Sequence, residues 1–343
     1  MEKIDIKTFS LEELEKEILS IGEPKFRAKQ IFNWLHQKHI ENFDEMTNIS
    51  KETRKKLSEK YKITEIKILD TLVSKEDGTT KFLFQLEGGH IIESVLMKYS
   101  YGNAVCISSQ VGCRMGCTFC ASTLEGLERS LTVAEMLSQI YKIQEYCGER
   151  IRSIVLMGSG EPFDNFDNFK KFIQMVNCKE GLELGQRHIT VSTCGIVPKI
   201  YEFADLKTQV NLAISLHAPN DELRRNIMPV ANRFTISEII EACKYFAEKT
   251  KRRVTYEYAL IAGVNDKEEH AKQIISLLKG TLCHINLIPV NDVKERDYIK
   301  SSKNQIKKFS EIIEKAGIDV TVRRELGSDI NAACGQLRRS YKY

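Results

Sequence analysis

From residue 104 onward, short apolar runs alternate with stretches whose apolar residues recur every three or four positions. The runs are rich in Val and Ile, as buried strands are, and the stretches between them have the period of amphipathic helices. Seven strands are predicted: "AVCISS", "SIVLM", "HITVST", "VNLAISL", "RVTYEYAL", "HINLIPV" and "DVTVRRE". Strands that alternate with helices form a parallel sheet covered by those helices. The pattern therefore predicts an α/β fold with a full or partial (β/α) barrel.

The first hundred residues have a different pattern. Residues 10–62 carry helical periods, and Ser10 and Glu13 have the spacing of a capping box. Three later runs, "ILDTLVS", "TTKFLFQL" and "HIIESVLMKY", are separated by the turn-forming segments "KEDG" and "EGG", which predicts an antiparallel meander. We therefore expect an N-terminal helical domain with a β-extension (residues 1–100), a barrel (101–325) and a C-terminal segment (326–343).

Polar residues follow five of the predicted barrel strands. Barrel enzymes carry their active sites at the C-terminal ends of the strands. The residues at these ends are a cysteine loop after the first strand, "GSGEP" with Gly160 and Glu161, then Ser192, Ser215 with His217, and Asn291. Any one of them has an ordinary structural explanation, such as a turn or a hydrogen-bonded histidine. Their convergence on one rim predicts an active site there.

The cysteine loop, "CRMGCTFC", contains Cys113, Cys117 and Cys120. A structural zinc ion takes four protein ligands, often as two closely spaced pairs. A [4Fe–4S] cluster held by three cysteines keeps one iron open for a small molecule, and this spacing favours that interpretation. Cys106 lies upstream on the first strand and would complete a four-cysteine zinc set, so the loop alone leaves both metals open.

Composition and charge narrow the class of protein. The formal net charge of +4 is too small to indicate nucleic-acid binding by itself. Basic runs at 51–62 and 337–343 are either phosphate-binding surfaces or solvated faces. The first residues lack an apolar signal segment, no apolar run has the roughly 20 residues of a membrane span, and the ten cysteines are expected to be free thiols or ligands. We predict a soluble, cytoplasmic protein without a membrane partner.

Several longer segments support a family resemblance. "CRMGCTFC" followed by "GSGEP" resembles the radical S-adenosylmethionine (SAM) superfamily. A wider set of segments resembles the RlmN/Cfr family of rRNA adenine methyltransferases nearly end to end: "FRAKQIFNWLHQK", "FDEMTNIS", "CISSQVGCRMGCTFCAS", "GEPFDN", "SLHAPNDELR" and "VRRELGSDINAACGQLR". The resemblance implies two cofactors, a [4Fe–4S] cluster and SAM. It also implies a partial barrel of the radical SAM type.

The same resemblance implies a role for each candidate residue. The cluster ligands are Cys113, Cys117 and Cys120, and the SAM contacts are Gly160, Glu161, Ser192, Ser215, Leu216, His217 and Asn291. Cys334 matches the cysteine that is itself methylated, Cys106 the second reactive cysteine, and Glu93 the general base. From the residues alone, Cys334 and Cys106 are equally well explained as buried core thiols, and Glu93 as part of an exposed strand edge.

The implied chemistry explains why such a set is needed. C2 of adenine has no useful nucleophilicity, so direct transfer from the sulfonium of SAM cannot methylate it. The resemblance implies that Cys334 is methylated first and that a radical made from a second SAM removes hydrogen from its methyl group. The resulting carbon adds to C2, Glu93 removes the C2 proton, and Cys106 attacks Cys334 to release the product as a disulfide forms.

The resemblance also implies partners and alternatives. The expected substrate is an adenosine of 23S rRNA in the peptidyl-transferase centre, and the sequence leaves open whether adenosine 37 of tRNAs is a second substrate. The expected electron donor is of the flavodoxin or ferredoxin type, and the enzyme is expected to be a monomer. "GEPFDN", the "NWLHQK" helix and "DEMTNIS" favour RlmN-type C2 methylation over Cfr-type C8 methylation. Rival classes are another radical SAM enzyme, such as a glycyl-radical activase, and a zinc-bound RNA-binding module. Two residues depart from the family pattern, Ser159 and Asn331.

Overall fold

The computed structural model describes residues 3–291 and 293–337. It begins with a helical unit made of β1 (Ile4–Asp5), α1 (Leu11–Ser20), α2 (Phe26–His36), α3 (Lys51–Lys60) and β2 (Tyr61–Lys62), in which β1 and β2 pair in parallel. The predicted capping box begins α1: the Glu13 amide donates to Ser10 Oγ at 3.2 Å, and the Ser10 amide donates to the Glu13 carboxylate at 2.7 Å. The sequence thus places the start of this helix correctly.

The predicted meander follows as three antiparallel strands, β3 (Lys67–Val73), β4 (Thr80–Gln85) and β5 (Ile91–Tyr99). β4 and most of β5 are buried, which agrees with their continuous apolar runs. The meander is not a separate layer, because β5 pairs antiparallel with the first barrel strand, β6 (Gly102–Cys106). The predicted boundary at residue 100 therefore falls in the turn between two paired strands of one sheet.

The barrel contains all seven predicted strands. After β6 come a small hairpin, β7 (Gln110–Gly112) with β8 (Leu127–Ser130), and then α4 (Val133–Cys147), β9 (Ile151–Leu156), α5 (Phe166–Asn177), β10 (Ile189–Thr193), α6 (Val197–Asp205), β11 (Asn211–Ser215), α7 (Asp221–Ile227), α8 (Ile236–Thr250), β12 (Val254–Leu260), α9 (Glu268–Leu278), β13 (Cys283–Pro289), α10 (Lys303–Lys315) and β14 (Val320–Val322). The barrel strands are all parallel to their barrel neighbours and lie side by side in chain order.

The sheet does not close into a ring within the described residues. Its ten strands run from β14 at one edge to β3 at the other. The predicted partial barrel is therefore confirmed, and its open side receives the C-terminal segment. Ala332 and Leu337 of that segment pack in one apolar cluster with Val95 and Cys106. The segment thus covers the inner face of β5 and β6.

The apolar faces predicted from periodicity form the core. One buried cluster extends from Ile6 and Leu14 in the helical unit through the barrel strands to Ile313 in α10. The helical unit is therefore packed on the barrel without an intervening polar layer. In the part of the chain that the structure describes, no helix has the length and apolarity needed to cross a bilayer.

Candidate active site

The cysteine loop is held in a short hairpin between β7 and β8. Gly112 has φ +74°, and a side chain there would collide with the carbonyl oxygen of Gly126 at 1.9 Å. The close approach lets the Cys113 amide donate to the same carbonyl at 3.0 Å, and the Cys120 amide donates to the Cys117 carbonyl at 3.2 Å. The backbone therefore bends so that all three cysteines line one cavity.

The environment of these thiols suits a metal better than free thiolates. Burial raises the pKa of Cys113 to about 12 and raises the pKa values of Cys117 and Cys120 as well. A bound cation removes this cost, because it takes the place of the proton on each sulfur. Two buried thiols and one partly buried thiol that line one cavity are a donor set that fits an iron–sulfur cluster.

The strand ends form the other wall of this cavity, whose volume is about 160 Å³. Besides the three cysteines, the predicted residues that line it are Gly160, Glu161, Ser192, Ser215, His217, Asn291 and Cys334. The rim inferred from the sequence is thus a single cavity. Of the predicted SAM contacts, Leu216 is not among the residues that line it: its side chain is fully buried in the core.

Gly160 and Glu161 shape the wall after β9. Gly160 has φ +104°, and a side chain there would meet Gln110 Cβ at 2.6 Å, so only glycine lets this loop approach β7. The Glu161 carboxylate is buried and accepts the amides of Phe163 at 2.9 Å and Cys194 at 2.7 Å. Burial raises the pKa of Glu161, while these amides lower it. The carboxylate therefore holds two loops of the rim together.

Two serines and a histidine complete the middle of the rim. Ser192 and Ser215, on the neighbouring strands β10 and β11, have hydroxyl oxygens 3.3 Å apart. His217 adopts the left-handed conformation with φ +55°, and its Nδ1 accepts the Ala259 amide at 2.9 Å. Because that nitrogen is an acceptor, the ring is neutral, and burial lowers the pKa of His217 to about 3. The imidazole is thus fixed as an uncharged group at the cavity.

The methyl-carrier candidate lies where two cavities meet. Cys334 lines the cluster cavity and also a smaller one of about 40 Å³, which Cys106 lines as well. The Asn291 side-chain amide donates to the Cys334 carbonyl at 2.9 Å, so a rim residue fixes the C-terminal segment. Two cysteines from opposite ends of the barrel therefore face one small space beside the three-cysteine loop. Both are free thiols.

Glu93 lies on the inner face of β5 and is buried, not on an exposed edge. Its carboxylate forms an ion pair with Lys81 on β4, with Nζ and Oε1 3.3 Å apart. The Lys81 ammonium also donates to the Asn331 carbonyl at 3.2 Å. One buried lysine therefore connects the predicted base with the segment that carries Cys334.

The two departures from the family pattern have backbone explanations. The Ser159 carbonyl accepts the amides of Ser109 and Gln110 at 2.9 and 3.1 Å, which any residue could do. Asn331 has φ +52°, a conformation in which Asn is one of the favoured non-glycine residues. Neither position contributes a side-chain atom to the bonds that hold the site.

Three residues at the site were missed from the sequence. Glu257, Arg323 and Cys194 all line the cluster cavity. Arg323 directly follows the last barrel strand, so the rule that identified the other rim residues would have found it. Glu257 is an acidic residue inside the apolar run "RVTYEYAL", which is a weaker signal. Cys194 belongs to none of the motifs identified in the sequence, and only the fold brings it to the cavity.

The basic run at 51–62 forms α3 and the start of the following strand. Several of its cations are paired: Lys56 with Glu23 at 3.2 Å and Glu52 at 3.3 Å, and Lys60 with Glu17 at 2.8 Å. Lys55 is largely exposed, with only a 4.0 Å pair to Glu59. These pairs favour a solvated face over a phosphate surface for most of the run. Of the run at 337–343, only Leu337 is among the described residues.

Two family models match separate parts of the chain. Residues 107–275 match the radical SAM superfamily model, and residues 4–63 match the model of the ribosomal RNA large subunit methyltransferase N-terminal domain. A protein of Lachnoclostridium phytofermentans named "Probable dual-specificity RNA methyltransferase RlmN" is 58% identical over 340 residues, covering 99% of this chain and 96% of its own. A Clostridium perfringens protein of the same name is 58% identical over 337 residues, covering 98% and 97%.

A solved structure supports the same assignment. The radical SAM methyltransferase of Sphaerobacter thermophilus is 41% identical and superposes with a TM-score of 0.93, covering 98% of this chain and all of that one. The agreement extends from the helical unit to the C-terminal segment, so neither a glycyl-radical activase nor a zinc-bound RNA-binding module accounts for the chain. Its cofactors are those of the superfamily, a [4Fe–4S] cluster and SAM. The chain therefore belongs to the RlmN family of radical SAM RNA methyltransferases.

Proposed function

We propose that this enzyme methylates C2 of an adenosine in the peptidyl-transferase centre of 23S rRNA and of adenosine 37 in tRNAs. The observation that carries the proposal is the pair of adjoining cavities, in which Cys334 faces both the three-cysteine loop and Cys106. Another radical SAM enzyme needs no such second thiol pair. The names of the relatives support RlmN-type specificity, and hence C2 over C8, as well as two classes of RNA.

We propose that Cys113, Cys117 and Cys120 ligate the cluster and leave one iron open. When bound, the cluster supplies the electron that converts SAM into a carbon-centred radical. The chain's own contribution is a shaped cavity, in which Cys113 and Cys117 are buried and the Glu161 carboxylate joins two loops of the rim. Exclusion of water protects a radical from side reactions.

We propose that the strand ends hold SAM. The hydroxyls of Ser192 and Ser215 and the amide of Asn291 are the polar groups best able to face it. Gly160 has no side chain and would contact SAM through its main chain. Each carboxylate oxygen of Glu161 accepts one backbone amide and keeps a second lone pair, so Glu161 could contact SAM through its carboxylate or its main chain. For Leu216, whose side chain is buried, the contact could likewise come only from the backbone.

We propose that Cys334 carries the methyl group and Cys106 releases the product. Cys334 is reachable from the cluster cavity, whereas Cys106 borders only the smaller cavity behind it. This order fits a thiol that acts after Cys334 has joined the base. We propose Glu93 as the base that removes the C2 proton, because it lies two residues from Val95, the strand partner of Cys106, on the same face of β5. Its ion pair with Lys81 holds the carboxylate in place.

The remaining assignments are proposals about surroundings. An electron donor of the flavodoxin or ferredoxin type, a monomeric state and a cytoplasmic location are expected from the family. We further propose that residues 1–100 contact RNA, with Lys55 as the candidate phosphate contact of α3, since it is exposed and weakly paired.

The test is product analysis combined with a trapped intermediate. The reconstituted wild-type enzyme, given SAM, a reductant and an rRNA or tRNA transcript, should yield 2-methyladenosine and no 8-methyladenosine on nucleoside digestion. Cys106→Ala should instead accumulate a covalent enzyme–RNA adduct on Cys334, because the release step is lost. Cys283→Ala, which removes a partly buried thiol at the opposite end of β13, is the matched control and should turn over normally. Free methylated RNA from Cys106→Ala would disprove the assignment.

A further inference from the structure

Arg323 lies at the junction of the two cavities. It follows β14 directly, and its amide donates to the Leu287 carbonyl at 2.8 Å, which extends the sheet to the rim. Its side chain runs inward, where Nη1 is 3.7 Å from Met157 Sδ. Arg323 lines the cluster cavity and also the smaller one, as Cys334 does. The guanidinium is therefore beside the space that the two reactive cysteines share.

The charges around Arg323 are acidic or potentially so. The Cys334 thiol is the largest influence that raises the pKa of Arg323, and it is followed by the Glu257 carboxylate and the Cys106 thiol, while burial acts in the opposite direction. The Glu257 carboxylate is itself buried and accepts the Asn286 amide at 2.7 Å. A permanently charged guanidinium in this position stabilises negative charge on either sulfur.

Cys106 needs such help because of where it lies. It is buried at the end of β6, and burial raises its pKa to about 12, with Arg323 acting to lower it. The thiolate is the form that attacks sulfur, so an isolated buried thiol would be a poor nucleophile. Cys334 does not compete for the guanidinium at that stage, since its sulfur is then an uncharged thioether.

We propose that Arg323 is a positioning residue for product release, whose guanidinium stabilises the Cys106 thiolate that attacks the sulfur of Cys334. The inference rests on the proposed function. In this step the bond between the two sulfurs forms and the bond from Cys334 Sγ to the methylene carbon breaks. The Cys106 thiol gives up its proton to solvent when the thiolate forms. The electron pair of the broken bond stays on the carbon, which takes up a proton to become the methyl group, so the step consumes no net proton. A dithiol reductant returns the disulfide to two thiols before the next turnover.

The other groups that face Cys106 do not offer the same stabilisation. From β5 the titratable neighbours are Tyr99 and Glu93, and Glu93 engages the nearby cation, Lys81. From β9 the neighbours are the uncharged Val155 and Met157. The C-terminal segment contributes Cys334, the atom under attack. Arg324 and Glu325 also line the smaller cavity, but neither lines the cluster cavity. Among the described residues, Arg323 is thus the cation that lines both cavities, as Cys334 does.

The test compares Arg323→Met, which keeps length but removes the charge, with Arg323→Lys, which keeps a charge. Each variant is cluster-reconstituted, given SAM, reductant and RNA transcript, and quenched over time. At each time, peptide mass spectrometry measures the amount of Cys334 cross-linked to RNA relative to the amount of S-methylated Cys334. Arg323→Met should release product about tenfold more slowly than wild type or worse, as expected for loss of one nearby charge. Arg323→Lys should recover most of that rate.

Two further readouts separate a charge effect from general damage. The pH profile of release by Arg323→Met should be displaced to higher pH than that of wild type, because a less stabilised thiolate needs a higher pH to form. Adding Arg323→Met to Cys106→Ala should not increase the adduct, since the step that Arg323 assists is already absent. Arg253→Met, an exposed arginine just before β12, is the matched control and should behave as wild type.

Three outcomes would overturn the inference. In the first, Arg323→Met releases product at the wild-type rate with an unchanged pH profile. In the second, Arg323→Lys slows release as much as Arg323→Met does. In the third, Arg323→Met no longer methylates Cys334, which would mean that the residue acts before release. If wild type makes no 2-methyladenosine and Cys106→Ala traps no adduct, the proposed function itself fails. These two failures are therefore distinguishable in one set of reactions.

Discussion

His36 joins the helical unit to the barrel and should make that contact sensitive to acid. It ends α2 and is buried, with its ring 4.3 Å from that of Phe32, centroid to centroid. Nδ1 lies 2.8 Å from the hydroxyl of Tyr141 on α4, and Nε2 is buried without a hydrogen-bond partner. A protonated ring would place a charge in this interface with no group to receive its second proton. Burial accordingly lowers the pKa of His36 to about 3.

The size of the effect follows from that value. The neutral ring is fully compatible with folding above the ordinary histidine pKa of 6.5. As pH falls below 6.5, the unfolded chain gains a proton that the folded chain cannot accept, so the unfolded state is favoured progressively until about pH 3. The resulting loss in the free energy of unfolding is about 2 kcal/mol at pH 5 and about 1 kcal/mol at pH 6.

The assay uses the single tryptophan of the chain, Trp34, which lies on the same helix as His36. Urea unfolding of the reconstituted protein is followed by its fluorescence at pH 7, 6 and 5, under anaerobic conditions. His36→Gln removes the titrating group and keeps a side chain able to bond Tyr141. Between pH 7 and pH 5, the free energy of unfolding of the variant should fall by about 2 kcal/mol less than that of wild type, whatever its stability at pH 7.

His188→Gln provides the control, because it replaces an exposed histidine just before β10 and should leave the pH dependence unchanged. An identical loss of stability in wild type and His36→Gln would refute the reasoning, since it would mean that the buried ring is protonated without penalty. If the pH dependence of stability is reduced as much in His188→Gln as in His36→Gln, the effect comes from general surface charge instead.

Three more predictions concern the site and the RNA surface. Lys81→Met should lower the free energy of unfolding, measured by urea titration, by about 3–5 kcal/mol, because it leaves the buried Glu93 carboxylate without its cation. Adding Glu93→Gln to this variant should restore most of the lost free energy, and no recovery would contradict the pairing. Cys117→Ala should yield protein without the absorbance of an iron–sulfur cluster, and normal iron and sulfide content would exclude Cys117 as a ligand. Lys55→Gln should weaken RNA binding and reduce the slope of log affinity against log salt concentration by about one unit. Lys56→Gln should have a smaller effect, because Lys56 is already ion-paired. Equal binding by both variants and wild type would mean that α3 is a solvated face.

The sequence determined the elements and the donor atoms of this protein. The two periodicities separate the helical unit, the meander and the barrel, and the capping box at Ser10 marks a helix start within one residue. These signals are local, because they depend on which face of a helix or strand is apolar and on bonds between residues three positions apart. The convergence of strand ends also follows from the sequence, since parallel strands share a direction. The last strand was predicted as "DVTVRRE", which contains Arg323, but the sequence assigned no rim residue to that strand.

What only the tertiary structure decided is which side chains meet. Whether Cys106 faces Cys334 depends on the register of β6 with β5 and β9 and on how the C-terminal segment crosses the open side of the barrel. A shift of one residue along a strand would turn each of its side chains to the other face, and the apolar pattern opposes such a shift. A shift of two residues keeps the faces, so the pattern alone does not decide which residues lie opposite each other. The burial of Glu93 beside Lys81 has the same origin. Local periodicity states which face is buried, whereas contacts between distant segments are set by the packing of the whole chain.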